Sequence, residues 1–330
     1  MPTAIASIDK AVGELMLVAD IGGTNARFAL APLHEGGTPI ETRNWLVADF
    51  PTLADAVSAY LDEAARGEPV RAGMIAVAGP ANRDDVKITN CSWTFSIEGT
   101  RRALGFERLF VINDFAANSW GMLDLGPDQL TSLGGPAPAD ALAGVFAVVG
   151  PGTGLGVSAI HAAAEDVTVF SSEGGHADFA PVSDEEVEIL AWLRQRHHRV
   201  SYERLICGPG LRNIYHAIGG DESVTSPEEV TARKDSDLLA QRAIRIFCEV
   251  LGSFAGNAAL MFGSWQGLFL AGGMLRPLRQ ELMSGGFRRR FEDKGRFGAE
   301  LEQVPTLLVE EPALGLLGAA TALRHRLGSA

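Results

Sequence analysis

Apolar positions in this chain fall into short runs broken by glycine-rich turns, and the first such unit sets the pattern. Leu17-Val-Ala-Asp20 closes one apolar run, Ile21-Gly22-Gly23-Thr24-Asn25 interrupts it, and Arg27-Phe28-Ala29-Leu30 begins another. Leu17–Leu30 is therefore predicted to be a β-hairpin closed by a glycine turn. The device returns further on, as Val145–Val149, a turn over Gly150–Gly156, and Val157–Ile160. The pairing is a structural echo and not a solenoid repeat. Between the two, Trp45–Ala48 predicts a further strand. Pro51–Arg66 places Leu53, Val57, Tyr60, Leu61 and Ala64 on one helical face, with Gly67 as the stop. Val70–Ala78 predicts a strand closed by Gly79-Pro80, and Val86–Thr89 and Trp93–Ile97 two short ones, before a short helix near Gly99–Leu104. Arg108–Ile112 predicts a buried strand that ends at Asn113-Asp114, with a helix from Phe115 to Met122 after it. Leu130–Gly144, rich in glycine, proline and alanine, predicts a loop or linker.

In the second half, Ser183-Asp-Glu-Glu186 has the spacing of a capping box and opens a helix through Val187, Leu190 and Leu193. Ser226-Pro227 predicts another helix start, with proline at the first helical position. Ser236–Phe262 is the longest helical pattern, a core helix with a bend expected near Gly252 or Gly256. Gly267–Ala271 predicts a strand ending in Gly272-Gly273, Thr306–Val309 another, and Ala313–Leu327 a final helix. Hairpins followed by alternating strands and helices predict an α/β fold with mixed sheets.

Composition narrows the class. At 330 residues there is room for one large or two medium domains, and 46% hydrophobic against 21% charged residues suits a globular protein with a sizeable core. No run approaches the ~18 consecutive apolar residues of a membrane span, so no membrane partner is expected. Met1–Lys10 lacks the basic start and apolar core of a signal peptide. Cys91, Cys207 and Cys248 are odd in number and far apart, which argues against a disulfide framework or a thiolate metal site and fits a reducing cytosol. A net charge of −13 argues against nucleic acid as a partner. It leaves a phosphorylated ligand open, because backbone amides bind phosphate whatever the global charge. No lysine follows a glycine in the Gly-x-x-x-x-Gly-Lys pattern, so a P-loop is absent.

Four places could carry chemistry. At the first turn two readings are open: an ordinary hairpin, or amides freed by Gly22 and Gly23 cradling a phosphate while Asp20 holds a hydrated cation. At the second turn, Gly154-Leu-Gly156-Val-Ser-Ala159 loosely fits a dinucleotide fingerprint, but that motif must open a helix and here strands follow. Two glycine turns gripping one polyphosphate fit better. Asp114 is either a helix N-cap or a general base at a strand end, able to take a proton from an alcohol. In Ser172-Glu173-Gly174-Gly175-His176 the paired glycines let Glu173 and His176 converge on a small polar ligand, or leave both simply solvated. Glu203 could be an ordinary helix surface charge. His197-His198 show no metal-ligand spacing and read as surface residues.

Taken together, these segments resemble the sugar kinases of the actin, Hsp70 and hexokinase superfamily, and most closely the bacterial glucokinase family. Leu17–Leu30 resembles the first phosphate motif, Val148–Val157 the second, and Leu270–Leu275 the adenosine motif. Val111–Asn118 matches the catalytic segment, Ser172–His176 the sugar-binding loop, and His198–Gly210 the segment with a further sugar-binding glutamate, here Glu203. The resemblance implies two RNase H-like domains with mixed sheets flanking a central cleft. Residues 15–124 with 313–330 would form the smaller and 125–312 the larger; residues 1–14 depart from the family pattern and are expected to be a flexible extension.

It further implies ATP-dependent phosphorylation of glucose at its 6-hydroxyl, feeding glycolysis, in a cytoplasmic homodimer. Asp114 would be the base, and Asn113, Asp114, Glu173, His176 and Glu203 would hold the sugar. Ala19, Asp20, Ile21, Gly22, Gly23, Thr24, Thr153, Gly154, Gly272 and Gly273 would bind ATP, with Mg²⁺ held by Asp20 through water. A kinase for mannose or fructose is the alternative on the same fold. A sugar-responsive regulator is a more remote one, since residues 1–14 leave no room for a DNA-binding module. A related branch of sugar kinases and repressors usually carries a cysteine-rich zinc motif after its sugar-binding histidine. Ala177–Pro181 contains no cysteine, so the non-zinc family is favoured.

Overall fold

The computed structural model describes residues 15–34, 36–139, 142–163 and 166–328. The expected extension over 1–14 lies outside them. The chain divides into two compact units, one running to Leu125 and resuming at Ala313, the other Gly126–Pro312.

In the first unit, β1 (Leu15–Ile21), β2 (Asn25–Pro32) and β3 (Ile40–Leu46) form an antiparallel meander. β4 (Val70–Val77) then joins β1 in parallel. β5 (Asp85–Lys87) and β6 (Thr94–Ser96) make a separate small ribbon, and β7 (Arg108–Asn113) lies parallel to β4, giving the order β3-β2-β1-β4-β7. The parallel step from β3 to β4 needs a crossover, which the helix Leu53–Ala64 supplies. Thr52 caps that helix, its hydroxyl accepting from the Asp55 N–H at 3.2 Å. β1 and β4 read as nearly unbroken apolar runs because they are central and covered on both faces. Phe28, Trp45 and Tyr60 pack as one aromatic group, with Phe28 and Tyr60 stacked at 5.5 Å.

The second unit holds β8 (Leu130–Gly134), β9 (Gly144–Pro151), β10 (Leu155–Ala163), β11 (Asp166–Ser172), β12 (Gly267–Leu270) and β13 (Thr306–Val309). Their order is β11-β10-β9-β12-β13-β8, with β9, β10 and β11 antiparallel and β12 and β13 parallel to β9. Without β8, this repeats the strand order and directions of the first unit. The α/β fold with duplicated mixed sheets is therefore the one expected.

Several local expectations are corrected. The third strand begins at Ile40, not Trp45, and Val47–Asp49 turns into a short 3-10 helix. Leu130–Gly134 is not linker but an edge strand that pairs antiparallel with β13. The helix Leu238–Phe262 runs unbroken past Gly252 and Gly256. A Cβ at either glycine would lie 2.2 Å from Phe287 O or 2.5 Å from Phe291 O, so these glycines admit the neighbouring helix Gly286–Glu292. By length and composition Leu238–Phe262 could cross a membrane, but 72% of its apolar window is buried within the fold. Ser183 caps its helix as expected. Glu186, however, accepts from the Val182 N–H and forms a buried ion pair with Arg290 at 2.7 Å, so it does not close the box on Ser183.

Candidate active site

In the first unit, Gly22-Gly23-Thr24 links β1 to β2, and the Gly22 N–H closes the turn onto Asn25 O at 2.9 Å. Neither glycine has a positive φ. Gly23 is needed for space, because a Cβ there would lie 2.7 Å from Asn90 O. Asn90 is a neighbour that no sequence signal marks. Among the described residues, no backbone partner engages the Gly23 or Thr24 N–H, so both amides are available to an anion. Ala19 and Ile21 have fully buried side chains, so only their backbone can meet a ligand.

Asp20, the penultimate residue of β1, stands beside this turn. Arg27 lies 3.5 Å away, and a Cβ at Gly315, in the first turn of the helix Leu314–Leu327, would fall 2.9 Å from the carboxylate. Burial pushes the Asp20 carboxyl above its ordinary range, more than Arg27 pulls it back. Such a carboxylate gains from a cation. Among the described residues no group of three or more His, Cys, Asp or Glu could hold a metal directly. One carboxylate next to free amides is the donor set suited to a largely hydrated Mg²⁺ that shares its ligands with phosphate.

Asn113 and Asp114 stand at the end of β7. The cap of the helix Asp114–Gly121 is Asn113, whose Oδ1 accepts from the Phe115 and Ala116 N–H groups at 2.9 and 3.1 Å. Asn113 is extended (φ −66°, ψ 147°) while Asp114 is the first helical residue, so the capping reading of Asp114 passes to its neighbour. Asn113 Nδ2 donates to Gly79 O at 3.2 Å and to Asp114 Oδ1 at 3.0 Å, and the Phe115 N–H donates to the same oxygen at 3.0 Å. The Asp114 carboxylate is thus set in one orientation by its neighbours.

In the second unit, Gly152-Thr153-Gly154 links β9 to β10, closed by the Gly152 N–H on Gly154 O at 2.8 Å. Among the described residues, the Thr153 and Gly154 N–H groups have no backbone partner, as in the first turn. The sugar-loop candidates sit beside it. Residues 177–179 zip against 200–202 through Tyr202 N–H to Ala177 O and Phe179 N–H to Val200 O, each 3.0 Å. Arg199 adds a 2.8 Å bond to His176 O. This pairing brings His176 Nδ1 to 3.8 Å from Glu203 Oε1. Glu203 lies in a short 3-10 helix, Tyr202–Arg204, and is not the plain helix surface charge it could have been. Its Oε2 accepts from the Leu155 N–H at 2.9 Å. Glu173 and His176 remain exposed beside it.

Gly272 follows β12 with φ 151°, and a Cβ there would lie 2.3 Å from Pro151 O. Gly273 faces open space. One glycine therefore lets the backbone pass the second turn, while the next offers an uncovered surface.

Residues 17–326 match the family model described as glucokinase. The chain is 44% identical over 317 residues to a glucokinase of Xanthomonas euvesicatoria pv. vesicatoria, covering 92% of this chain and 93% of that one. It is similar to the crystal structure of a glucokinase from an Antarctic psychrotroph, with 34% identity, TM-score 0.84, and 94% and 99% of the two chains covered. A glucokinase of the ROK family from Streptomyces griseus, crystallised with glucose and AMPPNP, shares the fold at TM-score 0.63 and 20% identity, over 94% of this chain and 99% of that one.

Proposed function

This chain belongs to the glucokinase family and phosphorylates glucose with ATP, and we propose that Asp114 is the base of that reaction. The observation that carries the assignment is the fixed carboxylate at the end of β7, its Oδ1 held by Asn113 Nδ2 and the Phe115 N–H. The 6-hydroxyl of glucose passes its proton to Asp114 as its oxygen forms a bond to the γ-phosphorus. The bond from that phosphorus to the β,γ-bridging oxygen breaks, and ADP leaves. Phosphoryl transfer of this kind asks chiefly for alignment and for spreading of charge.

Asn113, Glu173, His176 and Glu203 hold the remaining hydroxyls. Carboxylates suit this task because each accepts from two vicinal hydroxyls. The free amides of Gly23, Thr24, Thr153 and Gly154 receive phosphate oxygens, and Asp20 is the residue that would hold Mg²⁺ through water, where the ion would neutralise charge on the phosphates. Gly272 and Gly273 let the adenosine lie on the backbone. The active form is a cytoplasmic homodimer: free cysteines suit the reducing compartment, and the dimer rests on the family resemblance alone.

Asp114→Asn keeps size and hydrogen bonding but removes the base. Turnover should fall by about 10²–10⁴, the range of general-base catalysis, while glucose binding measured by calorimetry stays within a few-fold of the parent. Near-normal turnover in this variant would show that another group takes the proton.

A further inference from the structure

Four separate contacts converge on the second glycine turn, and the elements that make them are those assigned to the sugar and the adenosine. Glu203 Oε2 accepts from the Leu155 N–H at 2.9 Å, and a Cβ at Gly154 would fall only 2.6 Å from the same oxygen. The carboxylate thus occupies the space that a side chain on the turn would take. The Gly208 N–H, a few residues on, donates to Gly152 O at 2.8 Å. Gly175 of the sugar loop presses on Leu155, where its Cβ would lie 2.1 Å from the carbonyl oxygen. Gly272 crosses Pro151 as described. The first turn has no counterpart of the Glu203 contact among its described neighbours.

We propose that Glu203 is a positioning residue for the nucleotide as well as a sugar ligand. One carboxylate oxygen fixes the turn that offers the Thr153 and Gly154 amides to phosphate. The other, 3.8 Å from His176 Nδ1, faces the sugar. The inference rests on the reading of Glu203 and His176 as sugar ligands. Because one carboxylate serves both sites, sugar on one oxygen restricts the group that aligns the turn. Glucose then strengthens nucleotide binding, and nucleotide strengthens glucose binding by the same factor. The route is one residue and one hydrogen bond and needs no long-range pathway.

The two duties of Glu203 are separable by side-chain chemistry. Glutamine keeps an oxygen that can accept from the Leu155 N–H, but it presents an amide where the sugar meets a carboxylate. Alanine removes both contacts. AMPPNP binding is measured by calorimetry on the full chain, with and without saturating glucose, for the parent, Glu203→Gln, Glu203→Ala and Glu173→Gln. Without sugar, Glu203→Ala should bind AMPPNP about 5–10-fold more weakly, the loss expected for one charge-assisted hydrogen bond that acts indirectly. Glu203→Gln should recover to within about twofold of the parent, and Glu173→Gln should match it. Both Glu203 variants should lose the glucose-induced gain in AMPPNP affinity. Gly154→Ala, which displaces the carboxylate from the other side, should weaken glucose binding even without nucleotide.

Sugar-free AMPPNP affinity unchanged in Glu203→Ala, with glucose binding lost, would overturn the positioning role and leave the sugar reading intact. Weakened AMPPNP binding with unchanged glucose binding would refute the sugar reading of Glu203, and with it the coupling. A melting temperature within a few degrees of the parent confirms that each variant is folded, and recovery in Glu203→Gln separates turn alignment from general loss of packing.

Discussion

The two glycine turns close matching hairpins, β1–β2 and β9–β10, in sheets of the same order, yet they are held by different means. At the first, the crowding neighbour is a backbone carbonyl and the charged groups belong to the hairpin itself. Asn90 O sits where a Gly23 side chain would go, and a carboxylate, Asp20, stands beside the turn with Arg27 as its partner. The second is fixed from a distance in sequence, by Glu203, Gly208, Gly175 and Gly272. The same backbone device is thus specialised in two ways. One turn carries a charged group suited to a cation, and the other is joined to the segments proposed to recognise the sugar and the adenosine. A duplicated fold offers two equivalent places, and the neighbours decide what each can do.

The sharpest way to break this comparison is at Gly272. Its φ of 151° and the 2.3 Å approach to Pro151 O leave no room for a methyl group. Gly272→Ala should cost about 2–4 kcal/mol, as backbone strain and overpacking act together. Urea denaturation checks this, and an unchanged midpoint would show that the second turn yields where it is taken to be rigid.

Asp20→Asn tests the charge on the first turn. Burial raises the carboxyl from 3.8, so the folded chain binds that proton more tightly than the unfolded chain does. Ionised Asp20 therefore costs stability at neutral pH, and the cost fades as pH falls through the raised pKa. The variant should melt at or slightly above the parent temperature at pH 7, with the difference shrinking toward acid pH. Its turnover should fall by about 10²-fold and respond more weakly to added Mg²⁺, since the developing charge loses support. A variant that melts clearly lower, with full activity, would reverse the assignment.

Gly273→Ala refines the contrast with its neighbour. Nothing lies within 4 Å of the added methyl group, so stability should change by less than about 0.5 kcal/mol. The KM for ATP should rise about tenfold, because the methyl would intrude where adenosine is proposed to meet the backbone. An unchanged KM would place the adenosine elsewhere.

The smallest effect concerns the cysteines that neighbour the two turns. Cys207 precedes Gly208; it is buried, its thiol donates to Glu203 O at 2.9 Å, and burial pushes it up to about 11. Cys248 is buried in the core helix and is also raised, while Cys91, next to Asn90, is partly exposed. Iodoacetamide at pH 8 should modify Cys91 alone in the native protein, as read by mass spectrometry. Labelling of Cys207 would mean that the segment locking the second turn opens readily.

Much of this was readable in the residues, and the remainder divides by physical cause. Helix starts at Ser183 and Ser226 were legible because side-chain caps are local chemistry. The glycine hairpins were legible because their flanking strands are central and almost wholly apolar. β8 was not, because an edge strand in glycine- and proline-rich sequence carries no strong alternation. Asn113 and Asp114 are both capping types, so only the backbone angles assign the cap to one and leave the other in the helix. The tie from Glu203 to Leu155 spans 48 residues and leaves no mark in composition or spacing. The roles of Gly252 and Gly256 were misread as bending because the helix that packs on them lies far along the chain.

The central claim is that ATP turnover here belongs to a sugar, with Asp114 supplying the base. A coupled ADP-release assay over a panel of hexoses tests it most directly. ADP release should be strongly stimulated by glucose, with weaker responses to its epimers, and should lose that stimulation in Asp114→Asn. ADP release of equal rate with every sugar and with none would contradict the account.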